Sequence, residues 1–200
     1  MKISFIICLF AATNVFSQGI TFYREDINFT IDRNYFYVDG YYWFANNSDK
    51  NVEGTIYFPV GNKNDRVVFD SVQVFVMPQS VSKSIMHKTS LGFYFRVNVN
   101  VGDTVTYNIK YRQKLSGDSV KYILLSTKTW NKPLVYAVYK LIVKQNIAIK
   151  KFSYTPDKVY SINNEKIFYW EQKNFMPERD MEFNFTRNYN VKCNPNLHDK

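Results

Sequence analysis

The chain has few of the residues that build most catalytic and metal sites. It contains two cysteines and two histidines among 200 residues. His87 and His198 belong to no His-x-His, HExxH or Cys-x-x-Cys pattern, so the sequence offers no spacing typical of a zinc site. A Gly-x-Ser-x-Gly elbow and a phosphate-binding glycine loop are also absent, in keeping with only seven glycines. We therefore predict no metal, no cofactor and no catalytic residues.

The two cysteines exclude a disulfide framework. Cys8 lies in an apolar N-terminal run, and Cys193 lies close to the C-terminus. Thiol catalysis would need Cys193 paired with His198, but both belong to a polar terminal stretch, which is a poor platform for a preorganised site. We interpret Cys193 as an inert thiol, and we expect stability to come from a hydrophobic core.

The first seventeen residues are typical of a secretory signal peptide. Lys2 provides the positive charge, and the apolar run over residues 3–12 is too short to span a bilayer. Val15 and Ser17 occupy the −3 and −1 positions of a cleavage site before Gln18. We expect residues 1–17 to be removed and the protein to be exported to the periplasm, the outer-membrane surface or the extracellular space. No later apolar run has the length of a transmembrane span.

The rest of the chain has the composition of a packed domain. It is 46% hydrophobic and 18% aromatic overall, and no repeat or linker divides it. We expect one domain over residues 18–187. A flexible tail is expected over residues 188–200, because that stretch lacks any alternation and lies at a terminus.

Alternation of apolar and polar residues predicts an all-β fold. Odd-numbered positions are apolar over residues 93–101 and again over 105–111. Gly102-Asp103 lies between the two runs and predicts a hairpin. The same alternation predicts four core residues, namely Phe95, Val97, Tyr107 and Ile109.

Other segments set the architecture. Tyr35 to Phe44 and Val135 to Val143 are apolar on both faces, which favours the middle of a sheet. Asn163-Asn164 predicts a second hairpin, and residues 79–88 fit a single helical turn or a loop. About ten strands indicate an antiparallel β-sandwich, Ig-like or jelly-roll-like. A closed β-barrel is the alternative, because periodicity does not separate the two.

Three stretches carry a resemblance to a known group of proteins. They are Val38 to Asn46 with Ile56 to Pro59; Val105 to Gln113 with Tyr122 to Leu124 and Trp130; and Trp170, Asn174-Phe175, Pro177 and Asp180. In these stretches the chain resembles uncharacterised secreted β-sandwich domain proteins of Bacteroidota. The resemblance implies the fold and export, and it implies no catalytic residues.

Positive charge is unevenly distributed along the chain. Residues 110–151 contain ten lysines and arginines but one acid, and they account for the whole formal charge of +9. Residues separated by an even number of positions on a strand project from the same face. Lys110, Arg112 and Lys114 therefore share one strand face, and Tyr136, Lys140 and Lys144 share a face of another strand. If the two strands are neighbours, they form a basic surface that attracts anionic polysaccharides or membrane headgroups. A merely solubilising face is the alternative, and export makes nucleic acid an unlikely partner.

These observations favour an exported, non-enzymatic binding or structural module of the cell envelope. One alternative is a carbohydrate-active enzyme that uses a carboxylate pair. The available acids are Glu25, Asp26, Glu165, Glu171, Glu178, Asp180 and Glu182. Another alternative is a subunit of a surface assembly that pairs with envelope proteins through an edge strand.

Three Asp-Ser/Thr-Val triplets have two interpretations. They begin at Asp70, Asp103 and Asp118. They match the O-glycosylation acceptor pattern of secreted Bacteroidota proteins, and they are equally typical of a turn before a strand.

The signal-peptide interpretation predicts a mature protein that begins at Gln18. Intact mass of the protein recovered from the envelope or medium measures this directly. A mass that includes Met1 would contradict both the cleavage site and the predicted export.

Overall fold

The computed structural model describes residues 19–62, 67–144, 146–163 and 165–187. Within these residues the chain forms fourteen β-strands and one 3-10 helix, so the fold is all-β, with more strands than the ten or so expected. The predicted signal peptide and the predicted C-terminal tail lie outside the described residues. None of the described residues forms a helix with the length and apolarity needed to cross a membrane.

The strands follow one another at short intervals. In chain order they are β1 (Ile20–Ile31), β2 (Tyr35–Asn46), β3 (Val52–Pro59), β4 (Phe69–Met77), β5 (Val81–Ser82), β6 (Ile85–Lys88), β7 (Gly92–Val99), β8 (Thr104–Lys114), β9 (Ser119–Tyr122), the 3-10 helix Leu125–Trp130, β10 (Leu134–Val143), β11 (Ile147–Phe152), β12 (Lys158–Ile162), β13 (Glu165–Phe175) and β14 (Met181–Arg187).

The strands form one large sheet and two small ones. The large sheet has eight strands in the order β12-β13-β10-β1-β2-β8-β4-β5. The small sheets have the orders β11-β14-β9 and β3-β7-β6. Every described strand pair is antiparallel except β1 with β10, which is parallel. Each sheet ends in edge strands, so the fold is an open sandwich and the barrel alternative is wrong.

Both small sheets pack on the same face of the large sheet. Phe183 of β14 contacts Phe29 and Phe36 of the large sheet, with ring centroids 5.5 and 6.1 Å apart. In the other small sheet, Phe95 of β7 lies 5.3 Å from Tyr107 of β8. Aromatic rings that meet edge-on between layers add stabilisation beyond the area they bury. The core therefore lies on one face of the large sheet, and we call the opposite face the outer face.

The two segments predicted to lie in the middle of a sheet form β2 and β10, and both are interior strands of the large sheet. β2 lies between β1 and β8, and β10 lies between β1 and β13. On β2, buried residues that face the core alternate with half-buried residues that face outward. Both faces of a central strand are partly covered by neighbouring side chains, which explains why apolar residues occur on both.

One predicted hairpin is wrong and the other is confirmed. β7 and β8 belong to different sheets, so the turn at Gly102-Asp103 carries the chain from one layer to the other. Alternation and turn residues fix the strands but do not determine which strand the next one pairs with. By contrast, β12 and β13 pair directly from Ile162 opposite Glu165, and Asn163 between them has a positive φ of 47°.

Residues 79–88 form neither the helical turn nor the loop expected from sequence. They contain two short strands, of which β5 belongs to the large sheet and β6 to the small sheet β3-β7-β6. Val81 and Ile85 have helical spacing, but pairing with β4 and β7 determines the conformation of this segment.

The four predicted core residues are confirmed. Phe95 is 0% exposed, and Val97, Tyr107 and Ile109 are each 1% exposed. Phe95 faces the centre of the sandwich, where it contacts Phe93 and Tyr107.

Replacing Phe95 with alanine should destabilise the protein by about 3–5 kcal/mol, because the ring is fully buried and leaves a cavity. Chemical denaturation measures the free energy of unfolding. The control is Arg96→Ala on the exposed side of the same strand, which should change stability by less than about 0.5 kcal/mol. Similar losses in the two variants would contradict the assignment of faces.

Candidate functional site

The predicted basic surface is divided between two separated strands. Lys110, Arg112 and Lys114 lie on β8, and Lys140 lies on β10 with Lys144 just after it. β1 and β2 lie between β10 and β8. Three interstrand spacings put β8 and β10 about 14 Å apart. The condition for a joint basic surface, that the two strands are neighbours, is therefore not met.

Acids from distant parts of the chain neutralise much of the local charge. The Lys110 ammonium lies 2.8 Å from an Asp39 carboxylate oxygen. Arg112 donates to Asp70, with Nη2 and Oδ2 3.3 Å apart, and Lys144 donates to Glu165. All three acids lie outside residues 110–151, so the excess of positive charge in that segment does not become a continuous patch. Lys140 makes no salt bridge with any described residue.

An arginine lies between two aromatic rings on the outer face. Tyr136, Arg24 and Trp43 are register neighbours on β10, β1 and β2. The Arg24 guanidinium lies 4.4 Å from the centroid of the Trp43 ring and 5.3 Å from that of Tyr136. Cation–π attraction on both sides holds the group in place. Its Nε is buried and has no hydrogen-bond partner among the described residues.

More aromatic rings continue this surface. Tyr41 lies 6.1 Å from Trp43 on β2, and Tyr169 donates to Glu171 on β13. Burial and the nearby Glu171 carboxylate raise the pKa of Tyr169 to about 12. A hydrogen bond to Glu171 also raises the pKa of Tyr136. These two phenols therefore stay neutral at physiological pH and present hydroxyl groups.

Two lysines border the rings. Lys140 pairs in register with Tyr169 and Asn28, and Lys173 pairs with Tyr136. Lys173, like Lys140, makes no salt bridge with a described residue. We call this set the outer-face site, and its members are Arg24, Tyr41, Trp43, Tyr136, Lys140, Tyr169 and Lys173.

Sequence reasoning found only part of the outer-face site. The sequence predicts Tyr136 and Lys140 as binding residues because they are four positions apart on one strand and so project from the same face. Arg24 and Trp43 were missed because their proximity depends on the pairing of β1 with β2. The alternation on β2 does carry a signal, since it puts Tyr41 and Trp43 on one face.

A buried carboxylate lies on the opposite face of β1. The register of β1 against β2 shifts between Phe22 and Arg24, which leaves Tyr23 as the extra residue of a β-bulge. The extra residue exchanges the two faces for the residues that follow it, so Glu25 faces the core and is 1% exposed. Glu25 and its neighbour Asp26 therefore project from opposite faces and do not form a catalytic carboxylate pair.

Tyrosine hydroxyls surround Glu25. Tyr139 donates to one carboxylate oxygen, and Tyr122 donates to the other at 3.2 Å. The Tyr122 and Tyr42 hydroxyls are 3.1 Å apart. Desolvation raises the pKa of Glu25 to about 7, although both hydrogen bonds act to lower it. Buried polar groups need partners of this kind to offset the loss of water.

The other acidic candidates have structural or surface positions. Asp180 accepts hydrogen bonds from the backbone N–H groups of Leu124 and Leu125, both at 2.9 Å. Glu178 and Glu182 are exposed. The part of the chain that the structure describes holds no group of three or more His, Cys, Asp and Glu positioned to bind a metal ion. Cys193 and His198 lie outside that part.

The three Asp-Ser/Thr-Val triplets all present exposed hydroxyl groups. Ser71, Thr104 and Ser119 are exposed, either in a bulge of β4 or at the start of β8 and β9. Asp70 and Asp118 form ion pairs with Arg112 and Arg187. The interpretation as a turn before a strand is confirmed at Asp103 and Asp118, which directly precede β8 and β9, and is wrong at Asp70, which lies within β4. Glycosylation stays a prediction.

Comparisons with known proteins agree with the fold. A family model described as a domain of unknown function, DUF4424, matches residues 97–183. No curated protein matches the chain in sequence. A Legionella pneumophila structure provisionally assigned as a nutrient binding protein matches with a TM-score of 0.66 and 12% identity, covering 84% of this chain and 67% of that one.

A second structural neighbour is much longer than this chain. It is an M1 zinc metallopeptidase from Deinococcus radiodurans, with a TM-score of 0.55 and 11% identity. The match covers 84% of this chain but 42% of the metallopeptidase. At these identities both neighbours show the β-rich fold and transfer no site residues.

Glu25 should make the protein less stable as the pH rises. Its pKa is about 7 in the folded state, against 4.5 for an ordinary glutamate, so the folded state binds the proton more tightly. The stability contributed by Glu25 is then greatest below about pH 4.5 and is lost as the pH rises to about 7, a change of about 3 kcal/mol from this group. The measurement is the free energy of unfolding as a function of pH.

Glu25→Gln should remove this pH dependence, since the amide does not titrate. Exposed Glu182→Gln is the control and should leave the slope between pH 4.5 and 7 unchanged. An unchanged slope in Glu25→Gln would show that another group is responsible.

Proposed function

We propose that this protein is an exported, non-enzymatic binding module of the cell envelope that holds an anionic polysaccharide on the outer-face site. The observation that carries the proposal is the joint presence, on an uncovered sheet face, of aromatic rings and of two lysines that make no salt bridge with a described residue. Both small sheets lie on the other side, so no described element covers these residues.

The aromatic rings fit a sugar ligand. Tyr41, Trp43, Tyr136 and Tyr169 are half-buried, so part of each side chain remains open to solvent. Aromatic faces carry partial negative charge, and the C–H groups of a sugar ring carry partial positive charge. Tyrosine, tryptophan and arginine are also enriched among the few residues that dominate the binding energy of protein–protein interfaces. Neutral phenol hydroxyls add hydrogen bonds to sugar hydroxyls.

The charges favour an acidic polymer. Lys140 and Lys173 form no salt bridge with a described acid, although Lys140 lies near enough to Asp26 to act on its pKa, and the chain as a whole carries +9. Charge attraction between exposed groups is screened beyond about 8 Å at physiological salt. Binding should therefore have a salt-sensitive part from the lysines and a less sensitive part from the rings. The name given to the Legionella neighbour supports a binding role in general.

The basic residues that form salt bridges are poor positions for a test. Reversing Lys110, Arg112 or Lys144 to glutamate would place like charges at Asp39, Asp70 and Glu165. Such variants would mix loss of binding with loss of stability. Lys140 and Lys173 are better positions because neither makes a salt bridge with a described residue, and the longer-range repulsion between Asp26 and a glutamate at position 140 is checked by chemical denaturation.

The double variant Lys140→Glu, Lys173→Glu should lose retention on immobilised lipopolysaccharide or acidic polysaccharide at low salt. The matched control is Lys150→Glu, Lys151→Glu, which makes the same charge change on exposed lysines of β11 in the other layer. The control should bind as the parent does. Chemical denaturation checks that both variants fold.

Trp43→Ala tests the aromatic part separately. It should weaken binding to a similar extent at low and high salt, because stacking does not depend on counterions. Equal binding by the parent and both outer-face variants, or no binding by the parent, would contradict the proposal. Binding to anionic vesicles in place of polysaccharide would assign the face to membrane headgroups instead.

A further inference from the structure

The edge strands of the three sheets differ in how well they are protected against pairing. Natural proteins shield edges with short strands, charges, prolines or bulges. β5 has two residues, β9 has four, and β3 ends at Pro59. β11 has a register shift next to the exposed Lys150 and Lys151, and β6 has a register shift as well.

β12 has one charged residue, Lys158, but lacks the other protections. It forms five consecutive pairs with β13 without a register shift, and it contains no proline. All five of its residues are exposed, including Val159 at 50%, Tyr160 at 39% and Ile162 at 52%. It is an end strand of the large sheet, so its other side is unpaired among the described residues.

The charge on β12 is displaced from the free edge. Lys158 is the sole charged residue of the strand, and it lies at the first position. Its ammonium lies 5.4 Å from the centroid of the Tyr169 ring on β13, on the inner side of the edge. The free edge therefore presents backbone groups flanked by Val159, Tyr160 and Ile162.

We propose that β12 pairs antiparallel with β12 of a second copy of this chain, centred on Tyr160. In that register Tyr160 faces Tyr160, Val159 faces Ser161, and Lys158 faces Ile162. No like charges meet, and cross-strand aromatic pairs stabilise antiparallel strands. A two-fold axis at Tyr160 makes the interface self-complementary, as in most homodimers.

The pairing aligns the outer faces of the two copies. Paired residues of a sheet project from the same face. Lys158, Tyr169 and Lys140 lie in one cross-strand row, so the row continues across the dimer into the second copy. A repeating polymer could then contact both copies, which raises its apparent affinity without new contacts. Dimerisation itself does not depend on the proposed ligand.

Sedimentation equilibrium of the purified protein tests the pairing. The parent should show a concentration-dependent dimer. Tyr160→Lys and Tyr160→Glu should each weaken self-association at least about tenfold, because like charges then face each other at the two-fold axis. An equimolar mixture of the two variants should restore the dimer, because lysine then faces glutamate.

The control is Val81→Lys on β5, the strand at the other end of the same sheet, where the parent valine is 54% exposed. It should dimerise as the parent does. A parent that stays monomeric at every concentration overturns the proposal. A dimer that persists in both Tyr160 variants, or that is lost in Val81→Lys, places the interface elsewhere and also overturns it.

Discussion

A one-residue bulge in β1 determines which side chains face the core and which face the surface. Before Tyr23 the core residues are Ile20 and Phe22, and after it they are Glu25 and Ile27. Successive side chains of a strand alternate between the two faces of the sheet, so one extra residue moves each later side chain of β1 to the opposite face. Without it, Glu25 would face outward and Arg24 would face the core.

Two features on opposite sides of the large sheet therefore have the same origin. On the inner side, Glu25 joins Tyr139 of the large sheet to Tyr122 of the small sheet β11-β14-β9. This hydrogen-bonded link, together with the Tyr42–Tyr122 contact and the bond from Gln113 to the Lys121 carbonyl, fixes the relative position of the two layers. On the outer side, the same bulge aligns Arg24 with Trp43 and Tyr136. The core position of Glu25 and the outer-face site are thus geometrically coupled.

The sequence predicts the strands and much of the core because alternation depends on neighbouring residues. Phe95 and Tyr107 are examples, and so is the central position of β2. Pairing between distant strands depends on the whole fold, which is why the turn residues Gly102-Asp103 predict a hairpin that the chain does not form. The bulge at Tyr23 has no local signature such as glycine. The ion pair between Lys110 and Asp39 joins residues far apart in the chain, so counting charges in one segment overstated the basic surface.

The three tryptophans allow a direct test of the outer face as the binding surface. Trp43 lies on that face, Trp170 is buried in the core, and Trp130 packs on Phe22 and Phe44. Titration of nitrogen-15-labelled protein with an acidic oligosaccharide, followed through the three indole N–H resonances, separates these positions. Our account predicts that the Trp43 resonance shifts with saturation while those of Trp130 and Trp170 stay in place. Saturable binding that leaves the Trp43 resonance unmoved would contradict it.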